Sequence, residues 1–144
     1  MNTKRIAIGT LVGSIALYAT GYLIFVLAFG SFYSANTGSA TGVGRDAQLQ
    51  WAHALASFSY AALVTLGIAG QAGSSTIAAG VKIGAVVGFL IWFTADFAFY
   101  GYSNIANLTR TVVDPLLEIV HGGIGGGVIA VVIGKPSASG GTQG

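Results

Sequence analysis

A chain of 144 residues is enough for one domain. Hydrophobic residues make up 53% of it and charged residues only 7%. A soluble domain carries about 25% charged residues, so this chain cannot solvate its own surface in water and reads as an integral membrane protein. Its net charge of +2 comes from six Lys and Arg scattered singly, which excludes a nucleic-acid-binding patch. With no cysteine, disulfides, thiolate chemistry and iron–sulfur clusters are excluded as well.

Lys4 and Arg5 precede an uncharged stretch from Ile6 to Phe29, long enough to cross a hydrocarbon core of about 30 Å. The stretch exceeds the roughly 7–15 apolar residues of a signal peptide, and no A-x-A site follows. It is therefore read as a first, uncleaved transmembrane helix. Gly9 and Gly13 form a GxxxG pair within it, a pattern common by chance in a chain with 23 glycines. Gly30 to Gln48, rich in Gly, Ser, Thr and Asn, reads as a loop. Leu49 to Gly70 is the second span, and at about 100° per residue Gln50, His53, Ser57 and Tyr60 share one face that points into protein.

Gln71 to Thr76 is a turn in which Ser74, Ser75 or Thr76 can cap the next helix. That helix, Ile77 to Tyr102, opens with Gly80, Gly84 and Gly88, a flat ridge suited to close packing. Its second half is aromatic (Phe89, Trp92, Phe93, Phe97, Phe99, Tyr100, Tyr102), as at a membrane interface, and it holds Asp96. Ser103 to Val113 reads as a loop with Asn104, Asn107 and Arg110. Asp114-Pro115 reads as an N-cap followed by proline at the first helical position, opening a fourth span over about residues 115–134. Residues 136–144 form a Ser/Gly tail expected to be disordered. The fold expected is all-α, a membrane four-helix bundle in the cell (inner) membrane. Lys4, Arg5, Lys82 and Lys135 at one end, against Arg45 and Arg110 at the other, place both ends in the cytoplasm.

This threading brings ionisable groups to one depth. His53, Asp96, Glu118 and His121 are expected roughly 5–10 Å below the outer boundary. Asp114, Glu118 and His121 lie within about 40° of a common direction on the fourth helix, with Gly125 in line. Polar groups inside a membrane are expensive, so a site is sought here. The expected site is an outward-facing pocket of His53, Asp96, Asn104, Glu118 and His121, binding or passing a small ligand, a proton or a cation. Glu118-x-x-His121 has the spacing that supplies two metal ligands from one helix, and His53 and Asp96 could add two more, which suits a divalent metal. The same groups can equally form a structural polar network. A further reading makes the chain an accessory subunit, docking a second copy or a larger membrane complex through glycines Gly80, Gly84, Gly88, Gly122 and Gly125. No nucleophile motif, phosphate loop or dinucleotide fingerprint is present, which argues against an enzyme. The bilayer is the one partner composition demands.

Residues Tyr100 to Leu108, YGYSNIANL, resemble the signature Tyr-Asp-Leu-Thr-Asn-Leu-Ala-Thr-Leu of a bacterial family of four-helix membrane proteins of unknown function. Its surroundings are similar too: a Gly-x-x-x-Gly approach at Gly84 and Gly88, a Val-Asp opening at Val113-Asp114, and a glycine at Gly122. The similarity covers about the last 65 residues, and the first half matches only in hydropathy. Gly101 stands where the signature has its aspartate, and whether Asp96 takes over that role is left open. Glu118 and His121 lie outside the pattern. The resemblance implies a four-helix membrane fold, marks Asn104 for testing and carries no activity.

Overall fold

The computed structural model describes residues 2–71 and 76–134; Ser74, Ser75, Lys135 and the tail 136–144 lie outside the described residues. Its elements are α1 (Thr3–Gly21), a π-helical stretch (Tyr22–Ala28), α2 (Gly30–Ala35), α3 (Gln50–Ala69), α4 (Ile77–Tyr102) and α5 (Leu108–Ile133). Four helical segments, Thr3–Ala28, Gln50–Ala69, Ile77–Tyr102 and Leu108–Ile133, are long and apolar enough to cross a membrane. Their outer faces expose Leu11, Ile15, Leu27, Leu63, Leu66, Leu90 and Leu116, an apolar coat far beyond what a soluble monomer shows. The chain is a multi-pass, all-α membrane protein.

Local signals explain most of the helix ends. Asn2 starts α1 by accepting from the Lys4 N–H at 2.9 Å, four residues before the apolar run begins. Thr76 caps α4 by accepting from the Ala79 N–H at 3.1 Å. The expected opening of the last helix is corrected. Asn107 is its N-cap, accepting from the Arg110 N–H at 2.9 Å, and Pro115 lies inside the helix. Asp114 does not cap, because its carboxylate is buried and accepts from the Tyr33 hydroxyl. The first span also departs from a simple helix. At Tyr22 it loosens to π geometry, the Phe29 N–H reaching the Ile24 carbonyl five residues back at 2.8 Å. Part of the expected loop is helical as well, as α2.

The bundle is built around α5. Leu17 from α1, Tyr60, Ala61, Val64 and Ile68 from α3, and Ile129, Ala130 and Ile133 from α5 form the apolar core. Gly9 and Gly13 let α1 approach: a Cβ at Gly9 would stand 2.7 Å from Ile133 Cγ2, and one at Gly13 2.5 Å from Ile129 Cγ1. The arginine side chain of Arg5 reaches the Ile133 carbonyl, so α1 begins beside the end of α5.

α4 packs chiefly on α5, glycine against glycine. A Cβ at Gly84 would overlap the Gly122 carbonyl oxygen and stand 2.9 Å from Gly126 Cα. Gly80 and Gly126 oppose each other in the same way, and a Cβ at Gly88 would stand 2.6 Å from the Glu118 carbonyl oxygen. Gly125 instead faces Leu17 of α1, with 2.5 Å between its missing Cβ and Leu17 Cδ2. These ridges are filled by one another within the chain. These glycines thus serve as the helix-packing positions of the bundle itself.

At the opposite end from Arg5, the two long connections are latched. Gly38 N–H donates to the Ile105 carbonyl at 2.9 Å and Ala40 N–H to the Asn104 carbonyl at 3.0 Å. The Asn107 amide donates to Asn36 Oδ1 at 3.1 Å. A Cβ at Gly38 would stand 2.6 Å from the Asn104 carbonyl carbon and overlap its oxygen. Gly38→Ala should therefore open the latch, at a cost of about 1–3 kcal/mol. Hydrogen exchange at the Ala40 and Asn107 amides should then accelerate at least about tenfold; unchanged exchange would show that the latch has slack.

Candidate functional site

One face of α5 carries Thr111, Asp114, Glu118 and His121, spaced by three or four residues so that they stack on the buried side. Glu118 is 2% exposed, His121 6% and Asp114 9%. Groups of this kind persist in an apolar bundle only when hydrogen-bonded.

His121 is held from both ends. Its Nδ1 lies 2.9 Å from Glu118 Oε2, and its Nε2 lies 2.9 Å from the Leu17 carbonyl oxygen of α1. A carbonyl only accepts, so Nε2 carries a proton that it donates to Leu17. The imidazole edge meets two rings, Phe25 at 5.4 Å and Tyr60 at 5.7 Å between centroids. The Tyr60 hydroxyl donates to the same Glu118 oxygen at 3.3 Å. Two glycines make the space: a Cβ at Gly21 would sit 3.3 Å from His121 Nε2, and one at Gly88 would overlap the Tyr60 hydroxyl. Phe25 reaches the ring from the π-helical stretch, and it also meets Tyr33 edge-on at 5.8 Å.

With Nε2–H fixed, two proton arrangements satisfy every hydrogen bond. In one, an imidazolium donates through Nδ1 to the Glu118 carboxylate. In the other, a neutral imidazole accepts at Nδ1 from the Glu118 carboxylic acid. Heavy-atom positions are the same in both, so the pair holds one proton that can shift along a 2.9 Å hydrogen bond without repacking.

A second carboxyl group lies one turn nearer the latch. Tyr33 of α2 donates to Asp114 Oδ1, and the Arg110 guanidinium lies over the Tyr33 ring, 4.9 Å from its centroid. Burial, then the hydrogen bond to Asp114, push the Tyr33 phenol well above its ordinary range, so it remains a donor. From α4, Asp96 comes close enough to Asp114 for the two carboxyl groups to interact electrostatically. Its Oδ2 is buried and receives no donor.

The expected site is only partly assembled. Glu118 and His121 are hydrogen-bonded to each other, while Asp96 lies near Asp114 and outside that pair. His53 is exposed, and the residue of its stripe that enters the network is Tyr60, two turns deeper into α3. The Asn104 side chain is exposed too, and its contribution is the carbonyl that accepts from Ala40. The metal reading is corrected: among the described residues no group of three or more His, Cys, Asp and Glu could hold a metal ion. His121 has one nitrogen on Glu118 and the other on Leu17, and His53 lies outside the network. Glu118 and His121 are packed within protein, and two clefts of the described residues lie elsewhere. One, of about 270 Å³, is lined by Ser14, Ile15, Tyr18, Ala19 and Ala54; the other, of about 250 Å³, by Gln71, Lys82, Ile83, Val86 and Val87. Sequence reasoning missed Tyr33, Phe25, Gly21 and the Leu17 carbonyl. Gly21 was the only local cue, a small residue where α1 passes the buried imidazole.

No protein-family model, curated protein or solved structure matches the chain.

Proposed function

We propose that this protein sits in the cell (inner) membrane with both ends cytoplasmic and reversibly binds protons at a site about midway along α5. The Glu118–His121 pair is the central site. Asp114, Asp96 and Tyr33 connect it toward the latched connections. The observation that carries this reading is the pair of acceptors on His121: Glu118 at one ring nitrogen and the Leu17 carbonyl at the other. That arrangement stores a proton in either of two bonded forms, which an apolar core gains nothing from unless the proton is used. The orientation is supported by Lys4, Arg5 and Lys82 at one end of the bundle and Arg45 and Arg110 at the other.

The test is infrared difference spectroscopy of the protein in liposomes between about pH 4 and about pH 9. A carboxylic C=O band should appear and vanish with pH, and Glu118→Gln should remove it. If no carboxyl band titrates, or if it survives Glu118→Gln unchanged, the network is structural and the proposal fails.

A further inference from the structure

The end of the bundle that carries Arg5 holds none of the four acidic side chains of the sequence. Lys4 and Arg5 open α1 there, and Lys82 lies on α4 at the same end, while Asp96, Asp114 and Glu118 belong to the other half. Lys82 is five positions beyond the first residue of α4, about 7.5 Å along the helix, inside a span otherwise free of charge until Asp96. It lies two residues from both Gly80 and Gly84, about 200° around the helix from each, so it points away from α5. Lys82 is exposed.

Beside Lys82 runs the cleft of about 250 Å³ lined by Gln71, Ile83, Val86 and Val87. Its walls come from the end of α3 and the first half of α4. Ile83 and Val87 are partly buried against the apolar core, and Val86 is exposed. Gly67 lets α4 come close here, since a Cβ on it would stand 2.9 Å from Ile83 Cγ2. The cleft has an amide and an ammonium at one end and only branched aliphatic side chains along the rest.

We propose that this cleft binds an anionic phospholipid, with the phosphate at Lys82 and Gln71 and one acyl chain along Ile83, Val86 and Val87. Each part of the lipid meets its complement. An ammonium at this depth needs an anion or must extend toward water, and a phosphate at the headgroup level supplies the anion. The aliphatic walls suit a hydrocarbon chain. Lys82, exposed in a half-span that holds no acidic side chain, favours a lipid with net negative charge over a zwitterionic one.

Native mass spectrometry of the detergent-purified chain, titrated with phosphatidylglycerol or phosphatidylcholine, tests this. A phosphatidylglycerol adduct should be retained by the parent and weakened about fivefold by Lys82→Gln, the equivalent of losing one lysine near an anionic lipid. Lys82→Arg should keep the adduct, and Val86→Trp, which fills the cleft without changing charge, should weaken it. Equal retention of phosphatidylcholine, or indifference to Lys82→Gln, overturns the proposal. So does displacement by glycerol phosphate at matched concentration, which would show an anion site that ignores the chain. Glu118→Gln lies in the other half of the bundle and should leave the adduct unchanged.

Discussion

Gly84→Ala should break the close docking of α4 on α5 and cost a large share of the bundle's stability. The added carbon would overlap the Gly122 carbonyl oxygen and stand 2.8 Å from its carbon and 2.9 Å from Gly126 Cα. All three are backbone atoms, which cannot rotate aside. The helices would have to separate by about 1 Å, and close contact would be lost at Gly80, Gly88 and Gly126 too. Overpacking costs about 1–3 kcal/mol where side chains can adjust, and this site sits at or above the top of that range. Gly123→Ala is the control. It adjoins the same seam, but its Cβ would meet nothing nearer than 3.6 Å, so it should be tolerated. Unfolding in detergent followed by circular dichroism separates them: if Gly84→Ala melts with the parent, the helices are not in backbone contact.

The second large effect belongs to His121. His121→Ala removes the partner of a carboxyl group only 2% exposed and leaves a hole between Phe25 and Tyr60. Breaking a buried pair on one side costs about 3–5 kcal/mol, because the remaining charge has nothing to balance it. Adding Glu118→Gln should recover part of that loss, since the uncompensated group is then gone. A double-mutant cycle of equilibrium unfolding should give a coupling of about 1–3 kcal/mol between the two positions. Additive effects would mean that Glu118 and His121 do not depend on each other.

How far the fold could be read from the sequence depended on the kind of signal. α3 and α4 were legible to within a residue or so, because each is an apolar run bounded by polar or small residues, and Thr76 is an N-cap of a common type. The start of α5 was not. Asp114-Pro115 is a strong local signature for a helix opening, yet the next polar residues upstream are already in the helix and Asn107 does the capping. Burial of Asp114 against Tyr33 decided the matter, and that contact spans 81 positions. The π stretch at Tyr22 has no residue signature, since Tyr-Leu-Ile-Phe-Val-Leu-Ala suits an α-helix as well.

At the site, Glu118 and His121 stood out because charge is rare in an apolar span, and Asp96 for the same reason. His53 satisfied the same criterion and was misplaced. Gln50, its neighbour on the polar face, accepts from Tyr18 at the surface, so this stretch of α3 lies outside the buried network. A shared face identified the stripe correctly but not which turn of it is covered. Tyr33 and the Leu17 carbonyl were out of reach for a different reason: a hydroxyl on a short helix and a backbone oxygen carry no pattern at all.

The placement of α5 at the centre has a consequence for assembly order. Every other span emerges from the ribosome before α5, which packs on both α1 and α4. α1 and α3 can pair early through Gly9, Gly13 and Ala61, but α4 enters the bilayer with its principal neighbour still unmade. Until Leu108–Ile133 follows, the glycine groove of α4 faces lipid and Asp96 has neither Asp114 nor α5 beside it. The nascent protein is thus a loose pair of helices and a detached third, and insertion of α5 closes the apolar core, the glycine seam and the protonatable network in one step.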